Sequence, residues 1–267
     1  MNNDNNDGFS EFMQKARLKA GSRETFDFPL TAEDTPRSEH LAKGPALPGI
    51  VGIPTTAALS GTHQYLGFAK VFRNRRDVFA LTVPGFVAGD RLPASIEAAI
   101  EVEVNAIRSC VNDAPVVLVG ISSGGTFAYG IASHLEGQGL PVAAVVLIDA
   151  YPFRTAIAHD DLAYGMLRRM FEEKELRRYL TDTRLTAMAW YAKLFMDWEL
   201  AEVVAPTLLV RPEEPMPGMS TDKEWRSEWT HPHDMIEVPG NHWTMTMEDA
   251  ASTAEAVEAW LVDAVRA

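Results

Sequence analysis

The chain lacks several features that define common protein classes. Its 267 residues contain one cysteine, Cys110, which excludes an internal disulfide framework and a cysteine-built zinc site. No apolar run reaches the roughly 18 residues that a membrane span needs, so we expect no membrane association. The opening residues MNNDNNDG are polar and acidic and lack the basic stretch and apolar core of a signal peptide. These absences together favour a cytoplasmic protein.

Basic residues are also scarce, with 24 Lys and Arg against 37 Asp and Glu and a formal net charge of −13. An acidic surface repels phosphates and no basic stripe compensates, so we expect no nucleic-acid partner. The apolar content of 46% and the charged content of 23% are ordinary for a globular protein. The length is sufficient for one large domain with a substantial core.

From Pro48 onward, short apolar runs alternate with helix-like patterns, which predicts an α/β fold with a mostly parallel sheet. The run VAAVVLI is apolar throughout, as expected of a strand covered by helices on both faces. Helices are predicted after the capping residue Ser95, at 126–135 and at the C-terminus. The predicted strands are 49–53, 78–83, 115–119, 142–148, 207–210 and 235–238.

Two segments interrupt this alternation. Residues 1–47 are predicted to be a leader and linker outside the main domain, which spans 48–267, with one short amphipathic helix at 9–17. Residues 153–200 contain no clear strand and predict two or three helices. An insertion of this size between strands is typical of a helical lid, and ordinary packing helices are the alternative.

The sequence Gly120-Ile121-Ser122-Ser123-Gly124 matches G-x-S-x-G and lies between a predicted strand and a predicted helix. In that context the serine occupies a strained turn, and small neighbours are needed because larger side chains would collide with the strand and helix. The motif predicts that Ser122 is a nucleophile.

A serine nucleophile needs a base, and the chain has seven histidines. Among those after Ser122, only His242 follows both a strand and a turn. A loop after the last strand of an open sheet lies over the carboxyl edge, where Ser122 is also expected. His242 is therefore the predicted base.

The base needs a carboxylate that fixes its tautomer. Asp149 ends the buried strand 142–148 and so lies at the same sheet edge, where an acid is costly to bury unless something pairs with it. Glu213 and Glu214, after the strand at 207–210, are the rival acids, in a segment that is typical of an exposed turn. We favour Asp149, which gives the order Ser, Asp, His expected of an α/β-hydrolase.

Two N–H groups are needed to stabilise a tetrahedral oxyanion. One is expected from the backbone of Ser123, and the other from Thr56 or Ala57 in the loop after the first predicted strand. The histidines of His231-Pro232-His233 lack a third placed ligand, so no metal site is predicted.

Four motifs resemble the C-terminal thioesterase domains of modular type I polyketide synthases, over a region from about Pro48 to the C-terminus. They are ISSGG at 121–125, TTAALSG at 55–61, IDAYP at 148–152 and VPGNHWTM at 238–245. The resemblance implies an α/β-hydrolase fold with a helical lid, and it supports Asp149 as the acid and Thr56 as the amide donor. One departure is Ile121, since family members usually have histidine before the serine.

The resemblance further implies release of a polyketide chain from an acyl carrier protein by macrolactonisation or hydrolysis, with no cofactor of the domain's own. Family members carry N-terminal dimerisation helices, and here only residues 9–17 are a candidate for that role. A free-standing editing thioesterase or esterase is the alternative function, and a non-catalytic binding module of the same fold is another. Predicted substrate-channel residues are Tyr151, Met166, Met170, Tyr191, Trp198 and Trp243.

Overall fold

The structure is a computed structural model that describes residues 14–152, 169–170, 173–174, 176–217, 219, 221 and 225–265. Its main sheet has seven strands in the spatial order β2-β4-β3-β6-β7-β8-β9, and only the β2–β4 pair is antiparallel. A separate pair of short strands, β1 and β5, runs parallel. In chain order the strands are β1 (Thr25–Phe26), β2 (Ser38–Ala42), β3 (Ala46–Ile53), β4 (Arg76–Leu81), β5 (Leu92–Pro93), β6 (Val116–Ile121), β7 (Val142–Ile148), β8 (Thr207–Pro212) and β9 (Asp234–Val238).

Helices cover both faces of this sheet. Five are described over their whole length: α1 (Leu66–Val71), α2 (Ile96–Val111), α3 (Ser123–Gly137), α4 (Asp182–Met196) and α5 (Ala250–Ala264). Helices α2, α3 and α4 contribute to one buried cluster, and α1 and α5 contribute to the other. Within the described part of the chain, no helix is long and apolar enough to cross a membrane.

Strand β7 shows why the sheet is buried on both sides. Its side chains alternate between the two clusters, with Val145 and Leu147 on the α3 face and Val146 and Ile148 on the α5 face. All four are at most 1% exposed. This two-sided burial confirms the prediction from the continuous apolar run.

The six predicted strands and the helices after Ser95, at 126–135 and at the C-terminus are confirmed, with ends shifted by a few residues. Ser95 caps α2 as expected, because its Oγ accepts a hydrogen bond of 3.1 Å from the Ala98 amide. Helix α1 was not predicted.

The prediction of a linker up to residue 47 is wrong in part, because β2 and the start of β3 lie in this segment. Strand β2 pairs antiparallel with β4 at the sheet edge. Its residues are mostly exposed, so the strand shows no apolar alternation by which the sequence would reveal it. Residues 14–20 are helical, and the remainder of the helix predicted at 9–17 lies outside the described residues.

The predicted lid is only partly described, because residues 153–168 lie outside the described part of the chain. Within the rest of the segment, α4 belongs to the main core. Its Tyr191 ring lies 5.9 Å from the ring of Phe86 and 6.0 Å from the ring of Phe127. For α4, the alternative of an ordinary packing helix is therefore the correct one.

A buried carboxyl group lies in α2. Glu103 is fully buried, and neither of its oxygens has a hydrogen-bond partner among the described residues. Burial raises the pKa of this carboxyl well above its ordinary value. In the unfolded chain the same group ionises at about its ordinary pKa of 4.3. Ionisation therefore favours the unfolded chain.

We expect the free energy of unfolding to fall as the pH rises above the unfolded pKa of Glu103, until the folded pKa is reached, because only the unfolded chain loses this proton in that range. Glu103→Gln removes the proton and should flatten that part of the pH dependence. Urea unfolding at about pH 5 and about pH 8 measures the free energy of unfolding at both ends of this range. Glu97→Gln, at an exposed position of the same helix, is the matched control. Equal pH dependence in Glu103→Gln and the parent would contradict the expectation.

Candidate active site

Ser122 lies at a sharp turn between β6 and α3. Its backbone has φ 55° and ψ −127°, a conformation that residues with a side chain rarely adopt. The turn is held from both sides, since the Ser122 amide donates to Ile148 O at 2.9 Å and its carbonyl accepts from the Gly125 amide at 2.8 Å. The strained strand–turn–helix geometry that the motif predicts is present.

Glycines allow α3 to start this close to the sheet. A Cβ at Gly124 would collide with Pro54 O, and one at Gly120 would collide with Gly124 O. Both contacts are with backbone, which has no freedom to move aside. Larger residues would therefore collide with backbone at both positions, as the sequence predicts.

Asp149 follows β7 at the same level of the sheet as Ser122. The parallel strands β6 and β7 pair Ile121 with Ile148, so the residue after each strand lies at the same edge. The Asp149 side chain is 4% exposed, and its backbone φ is 41°. Its Oδ1 is buried with no hydrogen-bond partner among the described residues, so the contact made by Oδ2 is the one that stabilises the charge.

That contact is with His242. The Nδ1 of His242 lies 2.6 Å from Asp149 Oδ2, and the imidazole side chain is 7% exposed. A carboxylate only accepts, so it selects the tautomer with the proton on Nδ1 and leaves Nε2 as a free base. Among the described residues, Ser122 Oγ forms no hydrogen bond, and transfer of its proton to His242 stays a prediction.

The loop after β9 holds His242 in place. Asn241 Oδ1 accepts from the Trp243 amide at 3.0 Å, and the Asn241 amide donates to Thr244 Oγ1 at 3.0 Å. The Trp243 ring lies edge-on to the imidazole, with centroids 6.0 Å apart. These contacts fix the backbone on both sides of the histidine.

The rival acids lie elsewhere. Glu213 and Glu214 follow β8 and are exposed, and their backbone amides donate to Val238 O and Gly240 O, each at 2.9 Å. The structure pairs His242 with Asp149 and with neither glutamate. Of the three candidate acids, Asp149 is accordingly the one whose carboxylate contacts the histidine.

The loop after β3 lies against the first residue of α3. The Thr56 amide and the Thr56 hydroxyl each donate to Ser123 Oγ at 3.0 Å. The Ala57 amide donates to Thr55 Oγ1 at 3.3 Å. This places the Thr56 amide beside Ser123, whose own amide is the other predicted oxyanion donor, while both roles stay predictions.

Sequence reasoning missed two side chains that fix this loop. Arg184 of α4 donates to Ala58 O at 2.8 Å and to Ser60 O at 2.7 Å. The buried Tyr65 hydroxyl contacts Ile53 O at 2.8 Å and Val119 O at 2.7 Å, joining the ends of β3 and β6. An arginine in a helix and a tyrosine at the end of a short 3-10 helix carry no local pattern that identifies such contacts.

The predicted channel residues separate into two groups. Trp243 lies beside His242. Tyr151 and Met170 are buried in two small apolar clusters, and Trp243 packs against both clusters. Tyr191 and Trp198 pack in the main core with Phe195, so the prediction that these two line a channel is wrong. Their apolar spacing reflects helix packing. Met166 lies outside the described residues.

A resident metal has no evident ligand set in the part of the chain that is described. No group of three or more His, Cys, Asp or Glu residues there is arranged to hold a metal ion. The polar groups at this edge of the sheet are instead the Ser122 hydroxyl, the paired imidazole and carboxylate of His242 and Asp149, and backbone amides. This set is suited to acyl transfer.

The chain belongs to the thioesterase domain family, whose model matches residues 53–261. Its similarity to known proteins extends to polyketide synthases. Polyketide synthase GfsE of Streptomyces halstedii is 42% identical over 257 residues, which cover 94% of this chain and 7% of the synthase. Erythronolide synthase EryA3 of Saccharopolyspora erythraea is 36% identical over 221 residues, which cover 83% of this chain and 7% of the synthase. The chain thus spans less than a tenth of either synthase.

Solved structures show the same α/β-hydrolase type of fold. The NocB thioesterase domain, in covalent complex with a fluorophosphonate nocardicin G analogue, superposes with a TM-score of 0.65 at 18% identity, covering 84% of this chain and 99% of that chain. The Vlm2 thioesterase domain bound with a dodecadepsipeptide gives a TM-score of 0.62 at 19% identity, covering 83% of this chain and 96% of that chain. The expected fold class is confirmed.

Proposed function

We propose that this chain is a chain-releasing thioesterase domain of a polyketide synthase, with Ser122 as nucleophile, His242 as base and Asp149 as the acid that orients the base. The observation that carries the proposal is the 2.6 Å contact between His242 Nδ1 and Asp149 Oδ2, at the sheet edge where Ser122 forms its strained turn. Membership of the thioesterase family and similarity to two polyketide synthases supply the substrate class.

In the first half-reaction, Ser122 Oγ attacks the carbonyl carbon of an acyl thioester while its proton passes to His242 Nε2. The Asp149 carboxylate stabilises the imidazolium that forms. The carbonyl oxygen becomes an oxyanion that accepts from the amides of Thr56 and Ser123. Collapse of this intermediate breaks the C–S bond, and the thiol leaves with the proton from His242.

In the second half-reaction, His242 removes a proton from water or from a hydroxyl of the bound acyl chain, and that oxygen attacks the Ser122 ester. Collapse of this second intermediate breaks the bond between the acyl carbon and Ser122 Oγ, and His242 returns the proton to Ser122. Water gives a linear acid, and an internal hydroxyl gives a macrolactone. Both products use the same residues. The outcome depends on how the acyl chain is folded and how well water is excluded.

The substrate is proposed to arrive on the phosphopantetheine arm of an acyl carrier protein of the same synthase, in the cytoplasm. Similarity to short regions of very long synthases supports this source. Tethering within one assembly raises the effective concentration, so docking between the two domains need not be strong. The net charge of −13 is consistent with weak docking to an acidic partner.

The proposed function is tested by product analysis of the purified protein with a long-chain hydroxyacyl thioester and with a short acyl thioester. We expect faster turnover of the long-chain substrate, with a macrolactone or a linear acid as product. Labelling with an alkyl fluorophosphonate should attach the phosphonyl group to Ser122 and so identify the nucleophile. Preference for the short substrate would favour the editing thioesterase or esterase, and failure of labelling would favour a non-catalytic module.

A further inference from the structure

The hydroxyl of Ser123 contacts three groups of the loop after β3. It accepts from the Thr56 amide at 3.0 Å and from the Thr56 hydroxyl at 3.0 Å, and it lies 2.8 Å from Thr55 Oγ1. A hydroxyl has two acceptor sites and one proton. With both acceptor sites used by Thr56, its proton is left to donate to Thr55, so the hydrogen-bonding capacity of Ser123 Oγ is fully used.

This saturation matters because the Thr56 amide is the proposed oxyanion donor. An amide has a single proton, and here that proton already points at an acceptor. A serine side chain is short, so Ser123 Oγ also stays near its own backbone amide, the second proposed donor. The hydroxyl therefore accepts from one of the two amides that an oxyanion must reach, and it belongs to the residue that carries the other.

We infer that the Ser123 hydroxyl occupies the oxyanion site of the resting protein, and that it must release the Thr56 amide before that amide can stabilise a transition state. This inference rests on the proposed function. The release is a rotation about a single side-chain bond at a half-buried position at the start of α3. The resting contact keeps a buried loop satisfied, since Thr55 and Thr56 are 5% and 3% exposed.

The inference predicts that Ser123→Ala makes the site more reactive and the protein slightly less stable. The alanine frees the Thr56 amide in advance, and it leaves the Thr56 hydroxyl without its acceptor. We expect the rate at which an alkyl fluorophosphonate labels Ser122 to rise about threefold to tenfold. A rate change of this size corresponds to the net free energy of one neutral hydrogen bond. The phosphoryl oxygen of the probe accepts from the same two amides, and the labelling rate is followed by intact-protein mass.

One variant serves as the control. Ser109→Ala removes an exposed hydroxyl of α2 that bonds to Asn105 O, far from the β3 loop in sequence, and should label at the parent rate. Urea unfolding of each variant reports the stability separately. A residue that merely held the loop would lower both stability and labelling rate on conversion to alanine, whereas we expect the two to change in opposite directions.

Equal or slower labelling of Ser123→Ala, with the parent labelled at Ser122, would overturn this inference and leave the proposed function intact. Absence of labelling at Ser122 in the parent would overturn the proposed function, and the inference with it. Faster labelling of Ser123→Ala beside an unchanged rate for Ser109→Ala supports it.

Discussion

Ser122→Ala is expected to abolish acyl-thioester turnover, by about 10⁴-fold or more, while the protein stays folded. The reason is that no acyl-enzyme forms without the hydroxyl, whereas the turn keeps its backbone hydrogen bonds with Ile148 and Gly125. Steady-state kinetics with a hydroxyacyl thioester and far-UV circular dichroism measure the two properties. Retained turnover would remove Ser122 as the nucleophile.

A second variant at this position separates the chemistry from the fold. Ser122→Gly also lacks the hydroxyl, and it adopts φ 55° and ψ −127° without the strain that a Cβ imposes. We expect it to be as inactive as Ser122→Ala and about 1 kcal/mol more stable than Ser122→Ala. The reason is that the relief of backbone strain in the folded protein exceeds the entropy that glycine adds to the unfolded chain. Lower stability of the glycine variant would show that the turn is not strained.

Asp149→Asn is expected to lower kcat by about 10³-fold to 10⁴-fold with little change in KM. The amide that replaces Oδ2 can donate where the carboxylate only accepts, so it favours the His242 tautomer with the proton on Nε2. That tautomer cannot remove a proton from Ser122. The loss of the carboxylate also removes the charge that stabilises the imidazolium.

The matched controls for Asp149→Asn are Glu213→Gln and Glu214→Gln, which neutralise the two exposed acids after β8. Because their side chains make no contact with His242, we expect parent-like kcat from both. A large loss in either glutamate variant, beside near-normal activity of Asp149→Asn, would reverse the assignment of the acid.

Much of the fold could be predicted because strands buried on two faces are continuous apolar runs. The carboxyl ends of those strands then fix where Ser122 and Asp149 lie, since neighbouring parallel strands end at one edge. The strand–turn–helix context of Ser122 likewise predicted the position of the strained turn. A side chain at either Gly120 or Gly124 would collide with backbone atoms, which is why the motif requires glycine at both positions.

What could not be predicted depends on contacts between distant segments or on side chains without a pattern. Strand β2 is exposed and polar, so only its pairing with β4 reveals it. The position of Tyr191 in the core instead of a channel follows from how α4 packs, because an aromatic at helical spacing has the same signature in both settings. The contacts of Arg184 and Ser123 with the loop after β3 join residues more than sixty positions apart in sequence.

The matched ends of β6 and β7 have a consequence for how such a domain can diversify. The spacing between Ser122 and Asp149 is set by the hydrogen-bonded pairing of neighbouring strands in the sheet. Surrounding loops and helices are therefore free to change in shape and composition to suit new acyl chains. One constant reaction centre can in this way serve many products, with selectivity remodelled around it and the chemistry left undisturbed.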